Sequence, residues 1–170
     1  MPIQIGDRLP DGILTELIEE ERPGCALGPN TITVADNVRG KRIAVFAVPG
    51  AFTPTCSNKH LPGYVAAAEA LKAKGVDEIW CIAVNDAFVM GAWGKQQGTT
   101  GKVRMLADGN ADYTKRLGLS LDLTGRNMGI RSQRYSLLVE NGMVTRLHIE
   151  QPGKFEVSTA ETLVSELAAS

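Results

Sequence analysis

Apolar residues come in short blocks along this chain. Arg42–Val48 and Glu78–Val84 are continuous β-branched and apolar runs, the pattern of strands buried on both faces. Lys102–Ala107 reads as a further strand and Thr31–Val34 as a short one. Asp86–Gln97 reads as a helix, with Phe88, Val89, Ala92 and Trp93 grouped toward one face. Residues 55–74 also read helical, and Pro62 within them should kink or break the helix. Asn110–Leu117 predicts a short helix. Two apolar runs, Arg134–Glu140 and Met143–Glu150, flank Asn141-Gly142, a strong hairpin signal. Ser158-Thr-Ala-Glu161 has the spacing of a capping box opening a last helix.

Residues 22–30 hold two Pro and two Gly and predict a loop, too early in the chain to divide it. The chain therefore reads as one domain over residues 1–170. Strands alternating with helices, followed by a hairpin and a helix, imply an α/β fold with a mixed central sheet. Several α/β folds share that order.

Composition adds exclusions. An apolar fraction of 44% and a charged fraction of 22% are ordinary for a globular chain. A net charge of −1, with Lys and Arg scattered, argues against nucleic acid as a partner. No stretch approaches a membrane span, and the first residues lack the charged and apolar regions of a signal peptide. Three cysteines, an odd and low count, suit a reducing compartment, so a cytoplasmic location is expected.

The chemistry lies in Pro49-Gly-Ala-Phe-Thr53-Pro-Thr-Cys56. This stretch leaves a buried strand, turns through Pro and Gly, and delivers Cys56 to the first turn of a helix. Unpaired N–H groups and the positive end of the helix dipole favour an anion there. A free thiol is mostly protonated at neutral pH, so such a place raises the reactive thiolate fraction. A cysteine in a helix is more often a small buried apolar residue. The flanking Pro49, Gly50 and Pro54, and Thr53 three residues before the sulfur, shift the balance toward reactivity.

Pro49, Thr53 and Cys56 match the Pro-x-x-x-Thr/Ser-x-x-Cys signature of the peroxiredoxins, and the chain resembles that family. The run 49–64, with 83–94 and 134–142, is similar to the type II, or peroxiredoxin-five, branch, and the likeness extends from about Ile3 to Leu167. The resemblance implies a thioredoxin-like sandwich, its mixed central sheet covered by helices on both faces. It also implies a thiol peroxidase acting on hydrogen peroxide or small alkyl hydroperoxides. Cys56 would be the peroxidatic nucleophile and Thr53 would hydrogen-bond sulfur and peroxide. Arg134 would stabilise charge, ahead of Arg126 and Arg131, and Pro49 would shield the site. The N–H groups near Thr55 and Cys56 would hold the peroxide oxygens. No bound cofactor and no metal are expected.

His60, four residues after Cys56, is a general base on one reading and a locally bonded packing residue on the favoured one; it is also a candidate contact for substrate. Cys81, in a buried strand pattern, and Cys25, in the Gly/Pro loop, are the candidate resolving cysteines. Animal members carry a resolving cysteine near the C-terminus, where this chain has Glu156-Val157-Ser158. Direct reduction by glutathione or a glutaredoxin is therefore favoured over thioredoxin, and a homodimer is expected. Four rival readings fit less well. A dithiol carrier needs Cys-x-x-Cys, which is absent, and a zinc site needs more clustered ligands than Cys56 and His60. A cysteine hydrolase would need His148 as a partner. Nothing marks a holdase.

Overall fold

The computed structural model describes residues 1–21 and 23–168. The chain opens with β1 (Ile13–Ile18), β2 (Gly28–Thr33), α1 (Val34–Val38) and β3 (Arg42–Ala47). A wide helical turn (Cys56–His60) leads into α2 (Leu61–Ala73), β4 (Glu78–Ala83), α3 (Ala87–Gln97), β5 (Arg104–Ala107) and α4 (Asp112–Leu117). A small ribbon of β6 (Ser120–Leu123) and β7 (Gly129–Ser132) precedes the hairpin β8 (Tyr135–Glu140) and β9 (Met143–Ile149). Helix α5 (Ala160–Ala168) ends the described chain. No helix among the described residues is long and apolar enough to cross a membrane.

Seven strands form one sheet in the order β2-β1-β5-β4-β3-β8-β9. Strands β3, β4 and β5 run parallel, and the other pairings are antiparallel. The mixed sheet expected from the alternation is thus present. Residues 43–47 and 79–83 are all buried, as continuous apolar runs require when both faces are covered. Their side chains alternate between two cores. Phe46, Cys81 and Leu138 face α2, α3 and α5, while Ile43, Trp80 and Leu137 face α1 and α4. This is the helix-covered sandwich of thioredoxin-like proteins.

The expected hairpin is present, with Asn141 and Gly142 both at positive φ, as a tight primed turn demands. Other expectations need correction. Strand β2 begins at Gly28 rather than Thr31, and Val34 starts a helix. Pro29 is tolerated because β2 is an edge strand, pairing only with β1. Of the loop expected over 22–30, Arg22 lies outside the described residues, as do 169 and 170 of the expected domain. Strands β1, β6 and β7 and helix α1 were not anticipated. All are short, and only Leu14 and Ile18 are buried in β1, which is not strict alternation.

Helix α3 begins as expected, with the Asp86 carboxylate accepting the Val89 N–H at 2.8 Å. Its buried face differs, however. Ala87, Met90, Trp93 and Gly94 point inward, and Phe88 is 63% exposed. The reason is close packing at glycine. A Cβ on Gly91 would lie 2.4 Å from Leu17, and one on Gly94 would lie 2.7 Å from Met105. Glycine adds nothing to an apolar stripe, yet here it sets the contact face.

Candidate active site

Strand β3 leads into the site. Its exit turns at Pro49 and Gly50, and Phe52 adopts a left-handed φ of 64°. Ala51 N–H is held by the Asn85 side chain at 2.9 Å. The helix then opens, with Ser57 N–H donating to the Thr53 carbonyl at 2.9 Å. Cys56 therefore stands in the first helical turn, as the sequence predicts. Its side chain is buried, whereas Pro49, Thr53 and Arg134 are partly exposed.

Pro62 was expected to kink or break the helix. The helix is not broken there, and the turn before it widens. Residues Cys56–His60 form a π-turn, closed by Leu61 N–H donating to the Cys56 carbonyl. Pro62 has no N–H to offer the ladder, and a single wide turn accommodates that loss without ending the helix. From helix α3, Trp93 Nε1 donates to Ser57 Oγ at 3.0 Å, and Gln97 Nε2 donates to the Ser57 carbonyl at 3.1 Å. These bonds clamp the turn that carries the sulfur.

Arg134, the residue before β8, reaches the thiol. Its Nη2 donates to Cys56 Sγ at 3.1 Å, and its Nη1 lies 3.0 Å from His60 Nδ1. One guanidinium thus grips sulfur and imidazole together. The rival arginines are elsewhere. Arg131 donates to the carbonyls of Met128 (2.8 Å) and Pro49 (3.4 Å), so it braces the loop rather than the sulfur. Arg126 is exposed in a 3₁₀ turn.

His60 is a packing residue, as favoured, but its hydrogen bonds are long-range rather than local, to Ser158 and Arg134. It is fully buried among Phe46, Tyr64 and Phe155. Burial, reinforced by the Arg134 charge, drops its pKa from 6.5 to about 3. The ring is neutral at physiological pH. Its Nε2 lies 3.0 Å from the Ser158 carbonyl, which can only accept. Nε2 must carry the proton, and Nδ1 is left to accept from Arg134. This arrangement has a stability consequence. Between pH 6.5 and 3 the unfolded chain binds a proton at His60 that the folded chain refuses, so stability falls as pH drops through that window. The full effect is on the order of 5 kcal/mol, from 6.5 down to about 3 at about 1.4 kcal/mol per unit. Urea melts from pH 7 to 4 should show a slope shallower by about one proton in His60→Gln than in wild type. Coincident slopes would refute the buried neutral ring.

Thr53 departs from expectation. Its hydroxyl donates to the Gly50 carbonyl at 2.7 Å, and the sulfur's donor is Arg134. Cys81 lies buried in β4, where burial pushes its thiol pKa up, with the nearby Cys56 adding and Arg134 opposing. Cys25 is exposed, and all three cysteines are free. His148 is bound at 2.6 Å to Glu166 of α5, so it forms no hydrolase pair with Cys56. Among the described residues no group of three His, Cys, Asp or Glu could hold a metal ion. The Cys56–His60 pair already shares a cation, the guanidinium of Arg134. Two open clefts, of about 690 and 710 Å³, contain none of Cys56, Thr53 and Arg134.

Sequence reasoning missed the segment that completes the site. Ser158 was expected to cap α5; that bond comes instead from Thr159, whose Oγ1 accepts the Thr162 N–H at 3.1 Å. Ser158 faces inward, its carbonyl also accepting from Tyr64 Oη at 3.1 Å. Phe155 lies over the Arg134 guanidinium, 5.8 Å from ring centroid to Cζ. No local signal in 150–158 announces these contacts.

A thiol gripped by arginine at a helix opening suits a reactive, redox-active cysteine. Residues 4–164 match the Redoxin family model. The chain belongs to the redoxin family. Within it, this protein is a peroxiredoxin, a thiol-dependent peroxidase. It is 46% identical to peroxiredoxin-2D of Arabidopsis thaliana over 166 residues, 98% of this chain and 99% of that one. Peroxiredoxin-2C of Oryza sativa is 47% identical over the same shares. The reduced Prx3 of Vibrio vulnificus, solved in complex with hydrogen peroxide, superposes with a TM-score of 0.89 at 49% identity. It covers 97% of this chain and 99% of its own. These likenesses favour the type II branch, to which the plant relatives' names correspond.

Proposed function

We propose that Cys56 is the peroxidatic nucleophile of this peroxidase, acting on hydrogen peroxide and small alkyl hydroperoxides. The observation that carries this reading is the Arg134 Nη2 to Cys56 Sγ bond of 3.1 Å in the first turn of a helix. A charge-assisted donor at that distance favours the thiolate over the thiol. The thiolate attacks the terminal peroxide oxygen. An S–O bond forms, the O–O bond breaks, and the leaving oxygen takes a proton to become water or an alcohol. Sulfur is oxidised by two electrons to a sulfenic acid, and the peroxide is reduced. Arg134 opposes the negative charge as it moves from sulfur to the leaving oxygen. Thr53, already donating to Gly50, has lone pairs left to accept a peroxide O–H. N–H groups at Thr55 and Cys56 would hold the peroxide oxygens, and Pro49 would limit water.

An external thiol then regenerates the enzyme. One thiol displaces water from the sulfenic acid to give a mixed disulfide, and a second releases the thiolate. Glutathione or a glutaredoxin fits better than thioredoxin here. Cys81 is buried with its thiol pKa pushed up, a poor internal partner, and Ser158 offers no sulfur. Reaction of wild type, Cys25→Ser and Cys81→Ser with one equivalent of peroxide tests this by intact mass. Each should gain one oxygen at Cys56 and then form a glutathione adduct when that thiol is added. A disulfide seen in wild type and lost in one variant would name a resolving cysteine instead. We further propose a homodimer in the reducing cytoplasm, on the resemblance to peroxiredoxins and on three free cysteines. Sedimentation showing a monomer, or fractionation placing the protein elsewhere, would remove these two points.

A further inference from the structure

We propose that Glu150 is a positioning residue for the peroxidase site, acting through the 150–158 segment and His60 to aim Arg134 at the sulfur. The inference rests on the reading of Cys56 as the reacting group. It begins with a buried carboxylate that no part of the chemistry above uses. Glu150 is only 5% exposed and follows β9. Its Oε2 accepts the N–H groups of Glu156, Val157 and Ser158, each at 2.8 Å, and the Ser158 hydroxyl at 2.7 Å. Three successive backbone donors therefore fold around one anion. Burial pushes the carboxyl pKa up, but these hydrogen bonds outweigh it and hold the pKa below the usual range.

The consequence passes along the chain of bonds. With the segment wrapped on Glu150, the Ser158 carbonyl points inward at His60 Nε2 (3.0 Å) and Tyr64 Oη (3.1 Å). That carbonyl fixes the proton on Nε2 and leaves Nδ1 an acceptor for Arg134 Nη1 at 3.0 Å. The other arm of the fork then meets Cys56 Sγ at 3.1 Å. Backbone pairing closes the loop, since Glu150 N–H donates to the Arg134 carbonyl at 2.9 Å. Glu150 thus anchors the main chain of Arg134 directly and its side chain indirectly. Phe155, carried on the same segment, lies against both His60 and Arg134. A second layer that locks the rotamer of a reacting-site residue is how such sites hold their geometry.

The test compares wild type, Glu150→Ala and Glu150→Gln. Three readouts are taken: the rate of hydrogen peroxide reduction, the pH profile of Cys56 alkylation, and the ¹⁵N shifts of the His60 ring. Glu150→Ala should slow peroxide reduction about tenfold, move alkylation to higher pH, and let His60 exchange between tautomers. Glu150→Gln keeps an oxygen where Oε2 sits, and should restore all three to within about threefold, because the acceptor rather than the charge sets the geometry. A lowered melting temperature in Glu150→Ala with wild-type alkylation and wild-type ¹⁵N shifts overturns the proposal. Should Glu150→Ala not fold, Glu150→Asp withdraws the carboxylate by one methylene. Smaller shifts in the same directions support the proposal, and wild-type values overturn it. Failure of the Cys56 reading looks different, because a folded Cys56→Ser protein would then still consume peroxide while the ¹⁵N coupling of Glu150 to His60 would still be seen.

Discussion

Cys56→Ser is expected to reduce peroxide turnover to background. A serine hydroxyl is not ionised at any physiological pH, and its oxygen does not take up a peroxide oxygen as a thiolate does. Neither remaining thiol can substitute. Cys81 is buried with its ionisation disfavoured, and Cys25 is exposed, with no arginine among the described residues bonded to its sulfur. The fold should survive. Serine is nearly isosteric with cysteine and can accept the Arg134 bond now made to sulfur, so a loss of no more than about 1–3 kcal/mol is expected for burying the hydroxyl. Peroxide consumption assays beside thermal melts check both statements. Normal turnover in a folded Cys56→Ser protein would end the assignment.

Arg134→Ala is expected to have the next largest effect, about a hundredfold loss in the second-order rate of peroxide reduction. Removing one preorganised donor from a site where charge develops costs about 10²–10³ in rate, and a hydrogen bond to a charged group is worth about 1.5–3 kcal/mol. The substitution removes two bonds at once, to Sγ and to His60 Nδ1, and leaves the imidazole acceptor buried without a partner. Alkylation of Cys56 at neutral pH should slow, and its rise should move to higher pH. Arg134→Lys should recover only part of the loss, because an ammonium cannot span sulfur and imidazole as the planar fork does. Stopped-flow peroxide reduction and alkylation against pH give the answer. Rates unchanged from wild type in Arg134→Ala would show that the observed bond does not matter to the chemistry.

Much of the frame was legible along the chain. The runs 42–48 and 78–84 announced the central parallel strands because a strand buried on both faces needs no polar alternation. Asn141-Gly142 announced the hairpin because few residue pairs accept two positive φ values in succession. The corrections share a different cause. Glycines 91 and 94 rotated the contact face of α3 because close approach to Leu17 and Met105 needs an absent side chain, which an apolar stripe does not record. Pro62 widened a turn rather than breaking it. Thr53 bonded its own turn. Ser158 left the cap to Thr159 because Glu150 and the core claimed it.

The sequence by itself determined that a cysteine stands at the opening of a helix after a buried strand, because strand, turn and helix are set by neighbours a few residues apart. Which arginine meets that sulfur was implied only by family resemblance until the tertiary structure showed the contact, and only that structure decided what His60 does. Arg134 is 78 residues from Cys56, and Ser158 is 98 residues from His60. Contacts over such separations arise from sheet pairing and the packing of helices on it, and no local pattern of side chains encodes them.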